Sequence, residues 1–333
     1  NYTPWQVAIG AGFACGGFCI QFGCDWVAFL YASLAAIIGM RVRHKCNESG
    51  LNHYMGIAIA AFVSTILAWA STLLPQEWTS TPWHPLLACA LFIVPGVPLI
   101  NFVDDMLDNY IQVGVVRAVN TLLMVSAMAF GIAFAVKLCH IADFFPTISM
   151  VPHHAYWEYA IAAAISAMGF SMIFNIQRRL LWVVAIGGII AVCTRNFVNL
   201  GPSTDNIGLD MGLVIGSFSG SVLVSLIAVK AVHWFHVPGH VLTIPSVIPM
   251  IPGVLMYRML FGLINMNVQT IDQVTPLMKA IESGVNSGLV IMCIALGVAI
   301  PNIFGRKYIA SSKNKRLAAI LKERKARGKF VEW

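Results

Sequence analysis

Val94-Pro95-Gly96-Val97 and Ile251-Pro252-Gly253-Val254 are two copies of one short phrase, each set inside a long apolar run. A second proline flanks each copy, Pro98 after the first and Pro249 before the second. Proline has no backbone donor and cannot continue the hydrogen-bond ladder of a helix behind it. Glycine beside it permits a bend or a close approach. The polar residues downstream differ: Asn101, Asp104, Asp105 and Asp108 after the first copy, Tyr257, Arg258 and Asn265 after the second. A matched pair of interrupted apolar segments in two halves of a chain is the sequence mark of a transporter binding site near mid-membrane.

The composition around these phrases agrees. Of 333 residues, 58% are hydrophobic and 11% charged, where a soluble domain carries about 25% charged residues. Most of the chain therefore needs no water-facing surface. A spanning helix takes about 20 apolar residues, and the sequence predicts an all-α integral membrane protein with ten spans. These cover about 5–22, 25–41, 55–74, 84–103, 113–138, 156–174, 179–198, 208–232, 240–263 and 277–304. The first apolar run lacks a basic leader and passes straight into the second span, so no cleavable signal peptide is expected.

The net charge of +7 does not point to nucleic acid, because ten of the 21 Lys and Arg lie after Gly305. That basic tail, 306–333, reads as a solvated segment that fixes topology. The loops at 75–83, 139–155, 199–207 and 264–276 carry Glu77, Asp143, Asp205 and Asp272 and no Lys or Arg. Arg41–Lys45, Arg178, Arg179, Lys230 and the tail fall on the other side. The positive-inside rule selects both termini in the cytoplasm, in a multi-pass protein of the cytoplasmic (inner) membrane.

The two phrases belong to a longer repeat. Ala8-Ile9-Gly10-Ala11 resembles Ala164-Ile165-Ser166-Ala167, Trp26-Val27-Ala28 lines up with Trp182-Val183-Val184, and Gly131-Ile132-Ala133 with Gly297-Val298-Ala299. The matches run in order and divide the chain into five-span halves, 1–150 and 151–305. Five is odd, so the second half must enter the membrane from the opposite side, which gives two inverted repeats.

Ionisable residues inside a membrane are costly and mark function by default. Asp25, in the turn between the first two spans, reads as a turn or N-cap residue, and Lys137, Arg195 and Asp210 as span-end residues. Asp104, Asp105 and Asp108 form a group two turns past the first break, with Arg117 following. Asp104 and Asp108 share a helix face at this spacing, and neighbouring carboxylates raise one another's pKa, as proton coupling requires. Arg258, five residues after the second Pro-Gly pair, suits either a bidentate grip on a substrate carboxylate or a lasting pair with an acid such as Asp105. Amides freed at the breaks offer donors to an anion, and carbonyls accept from an ammonium; an amino acid presents both groups.

Other chemistries lack their residues. His233, His236 and His240 have helical spacing, but Pro238-Gly239 interrupts them and no Cys or carboxylate joins them. His153-His154 stands in a loop. The eight cysteines show no CxxC spacing and read as buried apolar residues. No metal or cofactor is expected. There is no phosphate-binding GxxxxGK[ST], GxSxG or HExxH, so neither ATP-driven transport nor an enzyme is expected.

Val94–Leu99 with Asp105, Gly114 and Arg117, together with Phe174–Trp182 and Pro245–Tyr257, resembles the threonine/serine exporter family. Phe174-Asn175-Ile176-Gln177-Arg178-Arg179 and Ile244–Gly253 are the most specific parts, and the likeness runs over nearly all of 5–305. The family pattern is Pro-Gly, an Asp about nine residues on, then Gly and Arg. Asp104 and Asp108 lie outside that pattern, which singles out Asp105.

The resemblance implies proton-driven export of small hydroxy amino acids, threonine and serine. Related two-component members are associated with dicarboxylates, so succinate export is an alternative, and a passive small-solute channel another. The expected substrate contacts are Pro95, Gly96, Pro98, Asn101, Pro252, Gly253, Tyr257 and Arg258; Asp105 and Arg117, with Asp104 and Asp108, are expected to carry coupling. The expected partners are a small amino acid or organic acid, protons and membrane lipid, with a homo-oligomer compatible and no nucleic acid.

Overall fold

A computed structural model describes residues 2–73, 75, 78–140, 155–201, 207–235, 237–264 and 274–326. Within helices it leaves out the side chains of residues 87, 233, 257, 261, 263, 264, 274–276 and 306–326. The expectations on Glu77, Asp143, His153, His154, Asp205, His236, Asn265 and Asp272, and on the side chains of Tyr257, His233 and the basic tail, lie outside the described residues.

The described residues are helical, with no strand among them. The first half comprises α1 (Pro4–Gln21), α2 (Trp26–Glu48), α3 (His53–Trp69), the short α4 (Pro85–Ala88), α5 (Gly96–Leu107) and α6 (Ile111–Leu138). The second comprises α7 (Tyr156–Ile173), α8 (Leu181–Asn199), α9 (Leu213–Phe235), α10 (Gly239–Val247), α11 (Gly253–Ile264) and α12 (Val274–Ala326). Single 3-10 turns, Leu91–Ile93 and Ile248–Met250, precede the two Pro-Gly phrases.

Local sequence explains several starts. Thr3 accepts from the Gln6 amide and Gln6 Oε1 from the Thr3 amide, a reciprocal cap with Pro4 at the first helical position. Asn52 caps α3 through the Tyr54 amide. α2 begins at Asp25, whose Oδ1 accepts from the Ala28 amide at 2.7 Å.

Among the described residues, six segments are long and apolar enough to cross a membrane: Trp26–Glu48, His53–Leu73, Ile111–Leu138, Arg178–Asn199, Leu213–Val232 and Leu277–Gly305. The pair Gly239–Met250 and Gly253–Leu260, bent by 62°, raises this to seven. The other segments read as spans from the sequence correspond to α1 and α7, 18 residues each and rich in Ala and Gly, and to the interrupted α4–α5.

The helix contacts come in matching sets. α1 packs on α2 and α7 on α8; α2 on α3 and α8 on α9; α3 on α6 and α9 on α12; α5 on α6 and α11 on α12. Across the halves, α1 packs on α7, α5 on α12 and α11 on α6. Apolar area gives helices little reason to associate when lipid is equally apolar, so close packing of small residues has to do it. The repeat's own residues serve this role. A Cβ at Gly131 would strike backbone of α3 at Ala58, and one at Gly297 would strike Ser221 and lie 3.0 Å from the Phe218 carbonyl of α9. Ser166 of α7 donates to the Ala14 carbonyl of α1 at 3.2 Å, beside Gly17.

The halves differ in how their ends are closed. The link from α3 to α4 folds back over the start of α2. Thr79 Oγ1 and the Ser80 amide each donate to Asp25 Oδ2 at 2.8 Å, the Asp25 amide donates to Thr81 Oγ1, and Ser71 donates to the Pro82 carbonyl. Partial burial raises the Asp25 pKa, but the donated hydrogen bonds outweigh it and leave the carboxyl below its usual range. The α9–α10 link is confined to 236–238. α8 starts after Leu180 with no side-chain cap, behind a 3-10 turn at Arg178–Leu180.

Candidate functional site

The two Pro-Gly phrases have the same backbone. At each, the residue before proline donates back into the 3-10 turn: Val94 N to Leu91 O at 3.1 Å and Ile251 N to Ile248 O at 2.9 Å. Each glycine amide then bonds across the proline, Gly96 N to Val94 O at 2.8 Å and Gly253 N to Ile251 O at 2.9 Å. Pro95 has φ −78° and ψ 63°, the geometry of an inverse γ-turn, which the fixed φ of proline suits. Each proline carbonyl then opens a new helix, accepting from Leu99 N at 2.9 Å and Met256 N at 3.2 Å.

The phrases also touch. A Cβ added to Gly96 would lie 3.0 Å from Ile251 Cδ1 and 3.1 Å from Ile248 Cγ1. One added to Gly253 would lie 2.5 Å from Leu91 Cδ2 and 3.4 Å from Val94 Cγ2. Each glycine therefore faces the 3-10 turn of the other phrase, and a missing side chain on both sides makes that approach possible. The N-terminal ends of α5 and α11 meet here, and both carry the positive end of a helix dipole.

The expectation that the breaks free backbone donors needs narrowing. In each first turn the glycine amide is consumed by the γ-turn and the fourth amide by the proline carbonyl. Pro98 has no N–H, so α5 begins with one donor fewer than α11, where Leu255 stands in the corresponding place.

Asp105 lies near the end of α5. The helix closes at Asp108, with Asn109 in the left-handed region at φ 68°, a conformation Asn tolerates better than most residues. α6 starts at Ile111 and returns alongside. Gly114 lets it press in: a Cβ there would lie 2.5 Å from Met106 Cγ and 2.8 Å from the Phe102 carbonyl. One turn further on, Arg117 Nη1 donates to Asp105 Oδ2 at 2.6 Å. The pair is partly buried, with 21% of the Asp105 and 42% of the Arg117 side chain exposed. The Asp-Gly-Arg spacing is thus one tight helical hairpin with an ion pair across it.

Asp104, Asp105 and Asp108 lie within the last turn of α5: Asp108, its C-cap, donates its amide to the Asp104 carbonyl at 2.9 Å, which keeps the two one helical turn apart. Asp104 Oδ2 also lies 3.9 Å from Nε2 of His240, at the start of α10 in the other half. Pattern reading missed His240 as a partner of Asp104, because the two are far apart in sequence and only the packing of α10 against α5 joins them. Asp105 is engaged by Arg117, and Arg258 is a partly buried residue of α11. Asn101 is half-buried on α5. No group of three or more His, Cys, Asp or Glu able to hold a metal is present among the described residues.

Arg195, read as a span-end residue, sits in the last two turns of α8 with Nε and Nη2 both donating to Asn196 Oδ1, at 3.1 and 3.0 Å. Lys137 is in the last turn of α6. Asp25 is the N-cap that the turn reading allowed.

An apolar, all-helical bundle with interrupted helices meeting head to head defines a multi-pass membrane protein of the transporter class. The chain belongs to the threonine/serine exporter family: one domain of that family matches residues 1–139, and a second, described as Threonine/Serine exporter, ThrE, matches residues 159–304. It is similar to proteins named "Probable succinate transporter subunit YjjP" from Klebsiella aerogenes and from Escherichia coli strain K12. Each is 28% identical over 138 residues, which is 41% of this chain and 53% or 54% of the relative. The chain thus spans about half the length of the curated relatives it matches. No solved structure matches the chain.

Proposed function

We propose that the protein is a secondary exporter of small hydroxy amino acids, threonine or serine, coupled to protons. The observation that carries this reading is the mutual contact of the two Pro-Gly breaks, each glycine against the turn of the other. In this reading the ten spans are α1, α2, α3, α4–α5 and α6, then α7, α8, α9, α10–α11 and α12. The halves 1–150 and 151–305 are inverted repeats, both ends lie in the cytoplasm, and 306–333 is a basic tail. The matching contact sets and the 157-residue offset of the paired break hydrogen bonds support it.

Substrate binds where the breaks meet, with Pro95, Gly96, Pro98 and Asn101 on one side and Pro252, Gly253, Tyr257 and Arg258 on the other. The α11 end has one more first-turn donor and has Arg258 on the same helix, so it takes the substrate carboxylate. The ammonium is taken on the α5 side by carbonyls at the break and by Asn101, not by the α5 N-terminal end, which is positive like that of α11. Asp105 takes the proton: protonation removes the charge that holds Arg117, and the hairpin then trades the ion pair for a neutral contact. Asp104 and Asp108 adjust the local field. The relatives' printed name favours a second substrate class, a dicarboxylate, bound by the same α11 end.

The test is uptake of labelled threonine, serine and succinate into inverted vesicles under an imposed proton gradient. Gradient-dependent accumulation of threonine or serine supports the main reading, and of succinate alone the second. Equilibration without accumulation assigns a passive channel instead.

A further inference from the structure

On the outer face of the second half, α8, α9 and α10 leave a groove of about 230 Å³. Trp182 and Ile190 of α8, Val224, Trp234 and Phe235 of α9, and Ser246 of α10 are among its lining. Its polarity is spent internally: Ser246 Oγ donates to Leu242 O at 2.7 Å and lies 3.3 Å from Val184 O. The one hydroxyl in the lining is therefore already satisfied.

Its two ends differ. The mouth is aromatic: Trp182 is 56% and Trp234 78% exposed, and Trp182 packs edge-on against Phe235 at 5.7 Å between ring centres. Tryptophan concentrates at the headgroup level of a bilayer. Two exposed basic residues belong to the elements that frame this mouth. Arg179, whose Nε donates to Gln177 Oε1 at 2.7 Å, precedes α8 by two residues; Lys230 is one turn from Trp234 toward the floor on the same face of α9, and its long stem can snorkel toward the mouth. Arg178, next to Arg179, donates to Gln6 and stacks on Tyr2, tying this end to the first half. From mouth to floor, Trp182 to Ile190 and Phe235 to Val224, the helices rise about 12 to 16 Å. One leaflet of the hydrocarbon core is about 15 Å deep.

We propose that this groove is a binding site for one acyl chain of an anionic phospholipid, with its headgroup held by Arg179 and Lys230. Burying the chain is not what selects the lipid, since it leaves surroundings that are equally apolar. Selection comes from the headgroup, where each basic side chain near an anionic surface favours binding by about fivefold. At the corresponding place in the first half, the α3–α4 link is strapped onto Asp25 over the start of α2. The 236–238 link is too short to do the same.

The test is native mass spectrometry of the full chain in detergent, titrated separately with phosphatidylglycerol and phosphatidylcholine. The wild type retains one phosphatidylglycerol at least tenfold more readily than phosphatidylcholine. Arg179→Gln with Lys230→Gln removes most of that preference. Ile227→Trp, which fills the groove from its 45%-exposed lining position, lowers retention of both lipids severalfold. Lys45→Gln, an exposed basic change at the end of α2, leaves retention unchanged. Equal retention of the two lipids, an equal loss in Lys45→Gln, or phosphatidylglycerol retention untouched by Ile227→Trp would each overturn the proposal. Circular dichroism and elution volume of each variant confirm that the folded protein is being compared.

Discussion

The Pro-Gly break before α5 and the one before α11 have the same backbone and different chemistry. Three hydrogen bonds recur at each with the same partners, offset by 157 residues, and each glycine packs against the other's turn. Beyond the glycines the two helices diverge. α5 carries Pro98 in its first turn and Asp104 and Asp105 near its end; α11 carries Leu255 and Arg258. Backbone geometry answers to local sterics, which the shared Pro-Gly phrase supplies twice. Charge is free to vary once the geometry is met, so the helix after one break ends in an ion pair, Asp105 with Arg117, and the helix after the other carries Arg258.

The Asp105–Arg117 pair is where this asymmetry breaks most completely. Asp105→Asn removes the titratable carboxylate while keeping its shape, and gradient-driven accumulation in inverted vesicles should fall to background. Substrate binding, read by thermal stabilisation of the purified protein, should survive within a fewfold. Retained accumulation in this variant would remove coupling from Asp105. Arg258→Ala should do the reverse: a tenfold or greater loss of substrate-dependent stabilisation, the scale of a lost charged hydrogen bond, with the Asp105–Arg117 hairpin untouched.

The packing symmetry is tested by single methyl groups. At Gly253 an added Cβ meets Leu91 Cδ2 at 2.5 Å, and at Gly96 the nearest atom is Ile251 Cδ1 at 3.0 Å. Gly253→Ala should therefore cost about 1–3 kcal/mol by overpacking, and Gly96→Ala clearly less. Thermal unfolding of the two variants, side by side, should rank them in that order; the opposite order would mean that the breaks do not meet as described.

A smaller effect separates the ends of the halves. Asp25→Ala removes the α2 cap and its ties to Thr79 and Ser80, a loss of about 1–2 kcal/mol at neutral pH. The folded pKa of Asp25 is depressed, so its stabilisation is complete above the ordinary carboxylate value of about 3.9 and is lost as pH falls through the lower folded value. Apparent melting followed down from pH 6 should show the wild type losing its advantage over Asp25→Ala only below about pH 4. α8 has no side-chain cap, and Leu180→Ala should show no such acid dependence.

Much of this was legible in the sequence. The apolar fraction and the low charge gave a helical membrane protein, and the two phrases marked the helix interruptions to the residue. Gly131 and Gly297, short matches of small residues, occupy the same helix contact in each half. The turn reading of Asp25 was correct because a cap is a local event. The carboxylate group was legible only in part. Spacing along the chain put Asp104 and Asp108 one turn apart, as the bond from the Asp108 amide to the Asp104 carbonyl has them, and Asn109 ends the helix there in the left-handed region. His240 was passed over because its neighbour, Asp104, lies in the other half.

The sequence by itself determined what depends on neighbours along the chain: solvent preference, helix starts and interruptions, and the charges near each interruption. Only the tertiary structure decided what depends on distant segments. It brought Gly96 and Gly253 face to face, closed Asp105 onto Arg117 through the Gly114 contact, set Asp104 toward His240, and left an open groove beside α10. These contacts arise from how closely whole helices approach, and that is fixed by small side chains on both partners at once, which no single stretch of sequence reports.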